Sequence, residues 1–368
     1  MTMNVTAVRA AAAGDVSVAS DVLVRHASAV RGMTQESQLL DLTVGELVEV
    51  RSVEEILATL DDNGELDSMP FMPEMLQFVG QRFRVYKRAH KTCDTATRTG
   101  GRSVEQAVHL TTRCDGSAHG GCQAACLIFW KEAWLKRVTS SDPAPSRMTA
   151  TPSGNLADTF HQLERASRRT DPAEPGVIYS CQATQVPKFS APLTWWNPGQ
   201  YMRDVTSGNA EFRKAAFVLG RATINAIQRW RGGRNFPAFP IPTKTKTPKE
   251  TLDLKPGELV QVKSPEEIAD TLDVHSRNRG LYFDEEMIRW CGGTFRVQSR
   301  VSRIINERTG RMMQLPNDCI ILDGVSCRAE CSRGRLLCPR GIPHYWREIW
   351  LRRVSQPEQP QVDPTHPR

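Results

Sequence analysis

Residues 40–61 read LDLTVGELVEVRSVEEILATLD, and residues 252–273 read LDLKPGELVQVKSPEEIADTLD. The two stretches are identical at 15 of 22 positions without a gap. Later residues follow the same offset of 212, namely Phe71 on Phe283, Glu74-Met75 on Glu286-Met287, Gly80 on Gly292 and FRV (83–85) on FRV (295–297). Further on the offset is 216, where FWKEAWLKRV (129–138) falls on YWREIWLRRV (345–354). The chain therefore contains two copies of a unit of about 100 residues, and this repeat organises the fold.

Each copy has the same predicted order of local structure. GELVEV and GELVQV alternate apolar and polar residues after a glycine, which is typical of a half-buried strand. Ser52 with Glu55, and Ser264 with Glu267, match the capping box that begins a helix. Pro265 suits the first helical position because its ring fixes φ and its missing N–H has no partner there. The segments EEILATL and EEIADTL are therefore predicted helices, and FRVYKR, FRVQSR, AVHL and CIIL are predicted strands.

This order of predicted strands and helices indicates an α+β protein. Two homologous, small β-rich modules, resembling SH3-like barrels, would flank a helical middle segment. Stretches rich in Pro, Ser and Thr mark linkers between the modules. The predicted layout is a mobile tail (1–38), module 1 with a cysteine cluster (39–139), a linker (140–155), a middle segment (156–235), a second linker (236–250), module 2 (251–354) and a mobile tail (355–368).

The middle segment contains one clear amphipathic pattern at residues 209–231. Its apolar positions fall near one helical face, and they are Phe212, Ala216, Leu219, Ala226, Ile227 and Trp230. The pattern predicts a helix that docks on one or both modules. The alternative is a basic helix that binds an anionic surface.

Composition sets limits on the class of protein. The 368 residues are 39% hydrophobic and 24% charged with a net charge of +7, which is ordinary for a globular chain of mildly basic character. No apolar run approaches the roughly 18 residues that a membrane helix needs, and the N-terminus does not have the pattern of a secretory signal. We therefore expect no membrane span and a cytoplasmic location, where ten cysteines are more often metal ligands or buried thiols than disulfides.

Four cysteines of the first copy form the candidate metal site: Cys93, Cys114, Cys122 and Cys126. Four thiolates are the usual complement of structural zinc or of an iron–sulfur cluster. Glycines at 116, 120 and 121 would let the backbone bend around a metal, and His119 is an alternative ligand. The sequence therefore predicts zinc, with an iron–sulfur cluster as the alternative.

The second copy limits this prediction. Cys114 aligns with Cys327 and Cys122 with Cys338, whereas Cys93 falls on Ile305 and Cys126 on Ile342. Paired replacement by isoleucine predicts that positions 93 and 126 lie close together and face inward. The remaining cysteines have separate predicted roles. Cys319 or Cys331 is expected to complete a site in the second copy, and Cys181 could complete either site. Cys291 is expected to be simply buried. Buried free thiols and disulfides remain open as alternatives to a metal.

The aromatic segment after the cysteines is predicted to anchor each core. Phe129, Trp130 and Trp134 recur at helical or near-helical spacing, as do their counterparts in the second copy. The alternative is an aromatic and basic platform that stacks bases or sugars.

Catalytic motifs do not stand out. The chain has no Walker A loop, dinucleotide fingerprint, HExxH or GxSxG motif. A nucleophile pair of His90 and Cys93 is conceivable, but neighbours in sequence rarely form such pairs. Asp115, Glu132 and Glu348 are interpreted as cap or surface carboxylates.

The segments GELVEVRSVEEILATLD, FMPEML, RAHKTCD, RCDGSAHGGCQAACLIFWKEAWLKRV, LLCPRGIPHYWREIWLRRV and YSCQATQ together resemble an uncharacterised bacterial family of two-repeat, cysteine-containing proteins. The resemblance covers both copies and the middle segment. It implies an association with biosynthetic gene clusters but no established activity and no catalytic residue. Val79 stands where the family commonly has Cys-Gly, so this position is not a candidate ligand.

These observations lead to one functional hypothesis and two alternatives. The first is a non-catalytic, metal-stapled accessory or binding protein of a bacterial biosynthetic pathway, whose partner is another protein or a small-molecule ligand. The second is an iron–sulfur or zinc-dependent modifying enzyme of that pathway. The third is a nucleic-acid-binding protein.

Overall fold

A computed structural model describes residues 40–97, 99–139, 154–172 and 174–354. The predicted tails at 1–38 and 355–368, and residues 140–153 of the predicted first linker, lie outside the described residues. The chain divides into a unit Met1–Leu40 and a unit Asp41–Arg368, and the fold below is that of the second unit.

The first copy consists of short strands around one short α-helix and two 3-10 helices. In chain order they are β1 Leu47–Val50, α1 Val53–Leu57, β2 Glu65–Leu66, β3 Met69–Pro70, the 3-10 helix Pro73–Phe78, β4 Arg82–Arg84, β5 Lys87–Arg88, β6 Lys91–Asp94, β7 Gly100–Ser103, β8 Ala107–Arg113, β9 Leu127–Lys131, the 3-10 helix Glu132–Trp134 and β10 Leu135–Arg137.

The middle segment contributes four helices and three strands. They are α2 Gly154–Ala166, β11 Arg168–Asp171, β12 Glu174–Tyr179, α3 Gln182–Phe189, β13 Ala191–Leu193, α4 Pro198–Thr206 and α5 Phe212–Trp230. The predicted second linker, residues 236–250, forms no helix or strand.

The second copy has fewer and longer strands. Its elements are β14 Leu259–Val262, α6 Pro265–Ala269, β15 Arg277–Asn278, β16 Leu281–Tyr282, the 3-10 helix Glu285–Trp290, β17 Thr294–Ile305, β18 Met312–Ser326, β19 Pro343–Trp346, the 3-10 helix Glu348–Trp350 and β20 Leu351–Arg353. The α+β class is therefore confirmed.

Strand pairing follows the same register in the two copies. Val48 of β1 lies opposite Phe83 on one side and Arg137 on the other, and Val260 of β14 lies opposite Phe295 and Arg353. The second copy forms one five-stranded sheet in the order β19-β18-β17-β14-β20. The first copy splits the equivalent order into β9-β8-β5 and β4-β1-β10. The sheet of the second copy is open between β19 and β20, so the described strands do not close into a barrel.

The predicted helix starts are confirmed in both copies. The Ser52 hydroxyl accepts from the Glu55 N–H and the Glu55 carboxylate accepts from the Ser52 N–H. Ser264 and Glu267 make the same reciprocal pair, with Pro265 at the first helical position. Each box satisfies two N–H groups that the helix itself cannot pair.

The aromatic segments form the two cores, as predicted. Trp130, Trp134, Trp346 and Trp350 are fully buried. Phe71 meets Trp134 edge-on at 5.2 Å, and Phe283 meets Trp350 edge-on at 5.4 Å. The segments fold as strand, 3-10 turn and strand rather than as a helix. Because the rings are buried, they do not form the stacking platform considered above.

The amphipathic helix of the middle segment is confirmed as α5, but the predicted buried face is wrong. Ala215, Val218 and Asn225 are buried, whereas Phe212 and Trp230 are 73% and 84% exposed. The buried face packs on Leu336 and Leu337 of the second copy. The pattern misled because Asn225 belongs to the buried face, where its amide pairs with the backbone N–H and carbonyl of Phe236.

The two copies exchange hairpins. The end of β17 lies over the cysteine loop of the first copy, where the Gln123 amide oxygen accepts from the N–H groups of Ser302 and Arg303 at 2.7 and 3.1 Å. The hairpin β6–β7 of the first copy reaches the cysteine loop of the second, where Lys91 donates to the Leu336 carbonyl at 2.9 Å. Each cysteine loop is therefore covered by the other copy.

A buried carboxylate fastens the beginning of each copy to its end. Glu132 accepts from the Asp41 and Leu42 N–H groups and pairs with Arg88 at 3.1 Å. Glu348 accepts from the corresponding N–H groups of residues 252–254 and pairs with Arg300 at 2.6 Å. Of the carboxylates interpreted as cap or surface groups, Glu132 and Glu348 are buried acceptors of backbone N–H groups, whereas Asp115 is exposed and accepts from the Ser117 N–H.

We predict that Glu132→Ala destabilises the protein by about 3–5 kcal/mol. The substitution removes the buried carboxylate partner of Arg88, which keeps only the exposed Asp41 carboxylate and the Leu42 carbonyl, and it removes the acceptor of the Asp41 and Leu42 N–H groups. The matched control is Glu54→Ala on the exposed side of α1, which should change the free energy of unfolding by less than about 0.5 kcal/mol. Urea unfolding followed by circular dichroism measures both. Equal effects of the two substitutions would contradict the assigned role.

His109 gives stability a pH dependence. It is fully buried, its Nδ1 lies 2.8 Å from the Ile128 carbonyl, and burial lowers its pKa to about 4. Between about pH 6.5 and pH 4 the His109 imidazole takes up a proton in the unfolded chain but stays neutral in the folded chain. Stability is therefore lost as the pH falls. The loss from this residue should reach about 3 kcal/mol.

We predict that His109→Ile weakens this acid-dependent loss of stability, because isoleucine has no group that takes up a proton. Isoleucine is chosen because Ile321 occupies the equivalent strand position in the second copy, opposite Tyr345 as His109 is opposite Phe129. Unfolding free energies measured in urea from neutral to acidic pH would give the two slopes. An unchanged slope in the variant would show that other groups control acid sensitivity.

Candidate metal centre

Four cysteines line one cavity beneath the hairpin of the second copy. They are Cys114, Cys122 and Cys126 of the first copy and Cys181, which precedes α3 in the middle segment. The cavity has a volume of about 40 Å³, room for a small ion or a few water molecules. Three of the four predicted ligands therefore share a cavity, and Cys181 joins them as the sequence allowed.

A buried carboxylate, that of Glu74, lies beside two of the residues that line this cysteine cavity, Cys114 and His119. Glu74, Cys114 and His119 each present a ligand atom, and these atoms all lie within 4.8 Å of one another, so the group could hold a metal ion. One oxygen of Glu74 lies 2.7 Å from Nδ1 of His119 and accepts from the Ala118 N–H. Its other oxygen, Oε2, is buried and has no hydrogen-bond partner in the structure.

The side chains are positioned by short elements on either side of the cysteine loop. Glu74 comes from the first turn of the 3-10 helix Pro73–Phe78, and Cys114 directly follows β8. His119 lies in the glycine-rich loop, with Nε2 3.3 Å from the Ser180 carbonyl. Sequence reasoning missed Glu74 as a candidate ligand, although its identity with Glu286 in the second copy was a usable signal.

Burial keeps three thiols of this cavity, those of Cys114, Cys126 and Cys181, protonated in the absence of a cation. Burial, and then the Glu74 carboxylate, raise the pKa of Cys114 well above its usual range. Burial likewise raises the pKa of Cys126, and it raises the pKa of Cys181 to about 11. A bound cation reverses this effect because it favours the thiolate.

The second copy contributes directly to the cavity wall. The Ile305 N–H points at Cys122 Sγ at 3.3 Å, and the Ile305 side chain lines the cavity with Cys126. The first cavity therefore needs β17 of the other copy to be complete.

Cys93 does not lie with the other three predicted ligands. It lines a second cavity of about 170 Å³ with Cys327 and Cys338 of the second copy. The reason is the hairpin exchange, which carries β6 away from its own cysteine loop. The structure therefore does not assemble the predicted set of Cys93, Cys114, Cys122 and Cys126 at one point.

The paired isoleucine replacements have a matching explanation. Cys93 packs near Ile342 in the second cavity, and Ile305 lines the first cavity with Cys126. Positions 93 and 126 of the repeat thus face each other across the two copies rather than within one. Each cavity keeps one cysteine of the pair and replaces the other by isoleucine.

The second cavity repeats part of the first. Glu286 occupies the place of Glu74, and its carboxylate accepts from the N–H groups of Cys331 and Ser332. Its Oε2 is also buried without a partner. Ser332 takes the place that His119 has beside Glu74, and the imidazole that lines the second cavity is that of His344.

The other cysteines have separate surroundings. Cys319 is buried against Val301 and Ile321, and Cys291 is partly buried on the core of the second copy. Cys331 does not line the second cavity; it lies near Glu286, and burial raises its pKa to about 12. None of these three residues belongs to either cavity.

His90 and Cys93 do not form a nucleophile pair. His90 Nε2 lies 3.2 Å from the Gln200 carbonyl and 3.4 Å from Asp204, and burial lowers the pKa of His90 to about 3. Cys93 instead interacts with Cys338. The two side chains are thus directed to different partners.

Comparison with known proteins returns no match to a protein-family model, a curated protein or a solved structure. The resemblance to a bacterial two-repeat family therefore stays a prediction. Within the part of the chain that the structure describes, no helix has the length and apolar character needed to cross a membrane.

Gly116 gives a test of the cysteine loop. Its φ is +71°, and a Cβ at this position would lie 2.1 Å from the Cys122 carbonyl oxygen. Gly80 has the same φ but nothing within 4 Å of the corresponding Cβ position. Alanine substitutions at Gly80 and Gly116 therefore distinguish the cost of a left-handed backbone from the cost of a Cβ close to the Cys122 carbonyl.

We predict that Gly80→Ala costs about 1–2 kcal/mol from the left-handed backbone alone. Gly116→Ala should cost at least about 1 kcal/mol more, because the loop must also move away from Cys122. Urea unfolding of both variants gives the difference. Indistinguishable losses would mean that the close approach at Gly116 does not constrain the loop.

Proposed function

We propose that this protein is a non-catalytic accessory or binding protein whose cysteine cavity holds a structural zinc ion. The supporting observation is the group of Glu74, Cys114 and His119, whose ligand atoms lie within 4.8 Å of one another. Carboxylate oxygen, thiolate and imidazole are all common zinc ligands.

The donor set fits a cation for two further reasons. Oε2 of Glu74 is buried and has no hydrogen-bond partner among the described residues, which costs folding free energy. A bound cation would offset that cost. Cys122, Cys126 and Cys181 line the same cavity and can supply a fourth ligand.

A metal here would join three parts of the chain. Cys114 belongs to the first copy, and Cys181 begins α3, whose Gln182 side chain bonds the backbone of Phe129 at 2.8 and 2.9 Å. Ile305 brings the second copy to Cys122. Such a staple adds folding energy to small β-rich units, and the stiffened surface would serve as the binding platform in a bacterial biosynthetic pathway.

The strand order supports SH3-like modules as part of this proposal. In the second copy the two outer strands of the sheet, β19 and β20, are joined only by the 3-10 helix Glu348–Trp350. A link this short between opposite edges requires the sheet to curl strongly, as it does in small barrels.

The cysteine arrangement also favours a second candidate, an enzyme that carries an iron–sulfur cluster on Cys114, Cys122, Cys126 and Cys181. In a tetrahedral site with zinc–sulfur bonds of about 2.3 Å, sulfur atoms stand about 3.8 Å apart. The Glu74 group is the one set of ligand atoms among the described residues that is packed within 4.8 Å. Four cysteines around one cavity match the usual ligand complement of an iron–sulfur cluster.

Metal analysis of protein purified without added metal tests the proposal. We expect about one zinc per chain, lost in Cys114→Ser and in Glu74→Gln, because each removes a ligand. Cys319→Ser is the matched control, since Cys319 is a buried cysteine that lies outside both cavities. A chelator should lower the thermal unfolding midpoint of the parent and of the control.

The alternatives give different results. Purified protein that is brown and contains iron and inorganic sulfide would support the iron–sulfur enzyme in place of the zinc protein. A folded protein that contains neither metal, with unfolding unaffected by chelator, would overturn both. Zinc retained in Cys114→Ser and in Glu74→Gln would place the ion elsewhere.

A further inference from the structure

The second cavity brings together cysteines from the two copies of the repeat. Cys93 lies on β6 of the first copy, and Cys338 lies in the loop between β18 and β19 of the second. Their side chains pack in one cluster with Ala329, with Cys327 and Ile342 at its border. Both residues also line the second cavity.

Positive charge surrounds this pair on one side. Arg340 is 3% exposed, and its Nη1 donates to the Cys93 carbonyl at 3.0 Å and to the Thr95 hydroxyl at 2.6 Å. Arg335 lines the same cavity. Guanidinium groups beside a thiol favour the thiolate, which is the reactive form of cysteine.

Proximity separates the pKa values of the two thiols. The interaction with Cys338, and then Arg340, lower the pKa of Cys93, and the same interaction raises the pKa of Cys338. Burial, and then Glu286, raise the pKa of the third cysteine, Cys327, to about 12. Of these three thiols, Cys93 is therefore the one whose surroundings favour the nucleophilic thiolate.

We propose that Cys93 and Cys338 form a reversible disulfide that links the two copies covalently, with low-molecular-weight disulfides as the oxidant. The inference is independent of the metal proposed for the first cavity. It rests on the contact between the two thiols and on the open cavity in front of them.

The reaction proceeds by thiol–disulfide exchange. The Cys93 thiolate attacks one sulfur of the small disulfide, and the other half leaves as a thiolate. Cys338 then loses its proton and attacks the Cys93 sulfur of the mixed disulfide, which releases the second half. The two protein thiols are oxidised by two electrons, and one small disulfide is reduced to two small thiols.

The cavity is suited to this exchange in space and in charge. Its volume of about 170 Å³ exceeds that of the first cavity, and Arg335 and Arg340 outnumber the Asp284 carboxylate among its lining residues, which favours an acidic disulfide such as oxidised glutathione. Cys327 remains a bystander, because its thiol is held protonated beside Glu286.

The test equilibrates the full-length protein in glutathione redox buffers, traps free thiols by alkylation and maps disulfides by peptide mass spectrometry. We expect a linked pair of peptides that contain Cys93 and Cys338, together with faster migration in non-reducing gels. The faster migration follows because the crosslink closes a long loop in the denatured chain. Reduction should restore the original mobility.

Variants identify the partners. Cys93→Ser and Cys338→Ser should each abolish the fast band, whereas Cys327→Ser and the buried control Cys319→Ser should retain it. Near-native circular dichroism of each variant shows that loss of the band does not come from unfolding.

Three results would overturn the inference. One is an oxidised parent in which Cys93 and Cys338 both remain alkylated as free thiols. Another is a disulfide that joins either residue to Cys327 instead. The last is a metal ion in the reduced parent that is lost in Cys93→Ser, which would make the second cavity a metal site.

Discussion

The exchange of hairpins between the two copies is the constraint on which the rest of the structure depends. Gln123 anchors it at the first cysteine loop, since its side chain accepts from two N–H groups of β17 and its own N–H donates to the Arg303 carbonyl. Lys91 and Arg340 anchor the reciprocal crossing through the Leu336 and Cys93 carbonyls. Polar backbone groups buried at this junction need these partners, so the two copies form one interlocked core.

Burial and local charge then separate the chemistry of the two cysteine cavities. In the first, a carboxylate lies beside thiols that burial holds protonated, which is a setting for a cation. In the second, Arg340 and Arg335 lie beside Cys93 and favour a thiolate. Arg340 lines both cavities and pairs with Glu307 at 3.1 Å, so the two environments share one guanidinium.

The local structure of each copy was predictable because it depends on neighbours in sequence. Ser52 and Glu55 lie within one helical turn, so their capping box could be read directly. The burial of Trp130 and Trp134 followed from their size and hydrophobicity. The location of Cys93 could not be predicted in this way, because two copies with similar sequences offer it two chemically similar surroundings. The buried face of α5 was predicted wrongly because Asn225 is buried for its hydrogen bonds rather than for its hydrophobicity.

The reciprocal crossing of hairpins has a consequence for the origin of the chain. A single ancestral unit would have covered its cysteine loop only by associating with a second molecule, which implies a symmetric homodimer with two equivalent cavities. Fusion of the two units into one polypeptide removes the need for equivalence. Each half can then vary independently, as Ile305 and Ile342 now do on opposite sides of the former dyad.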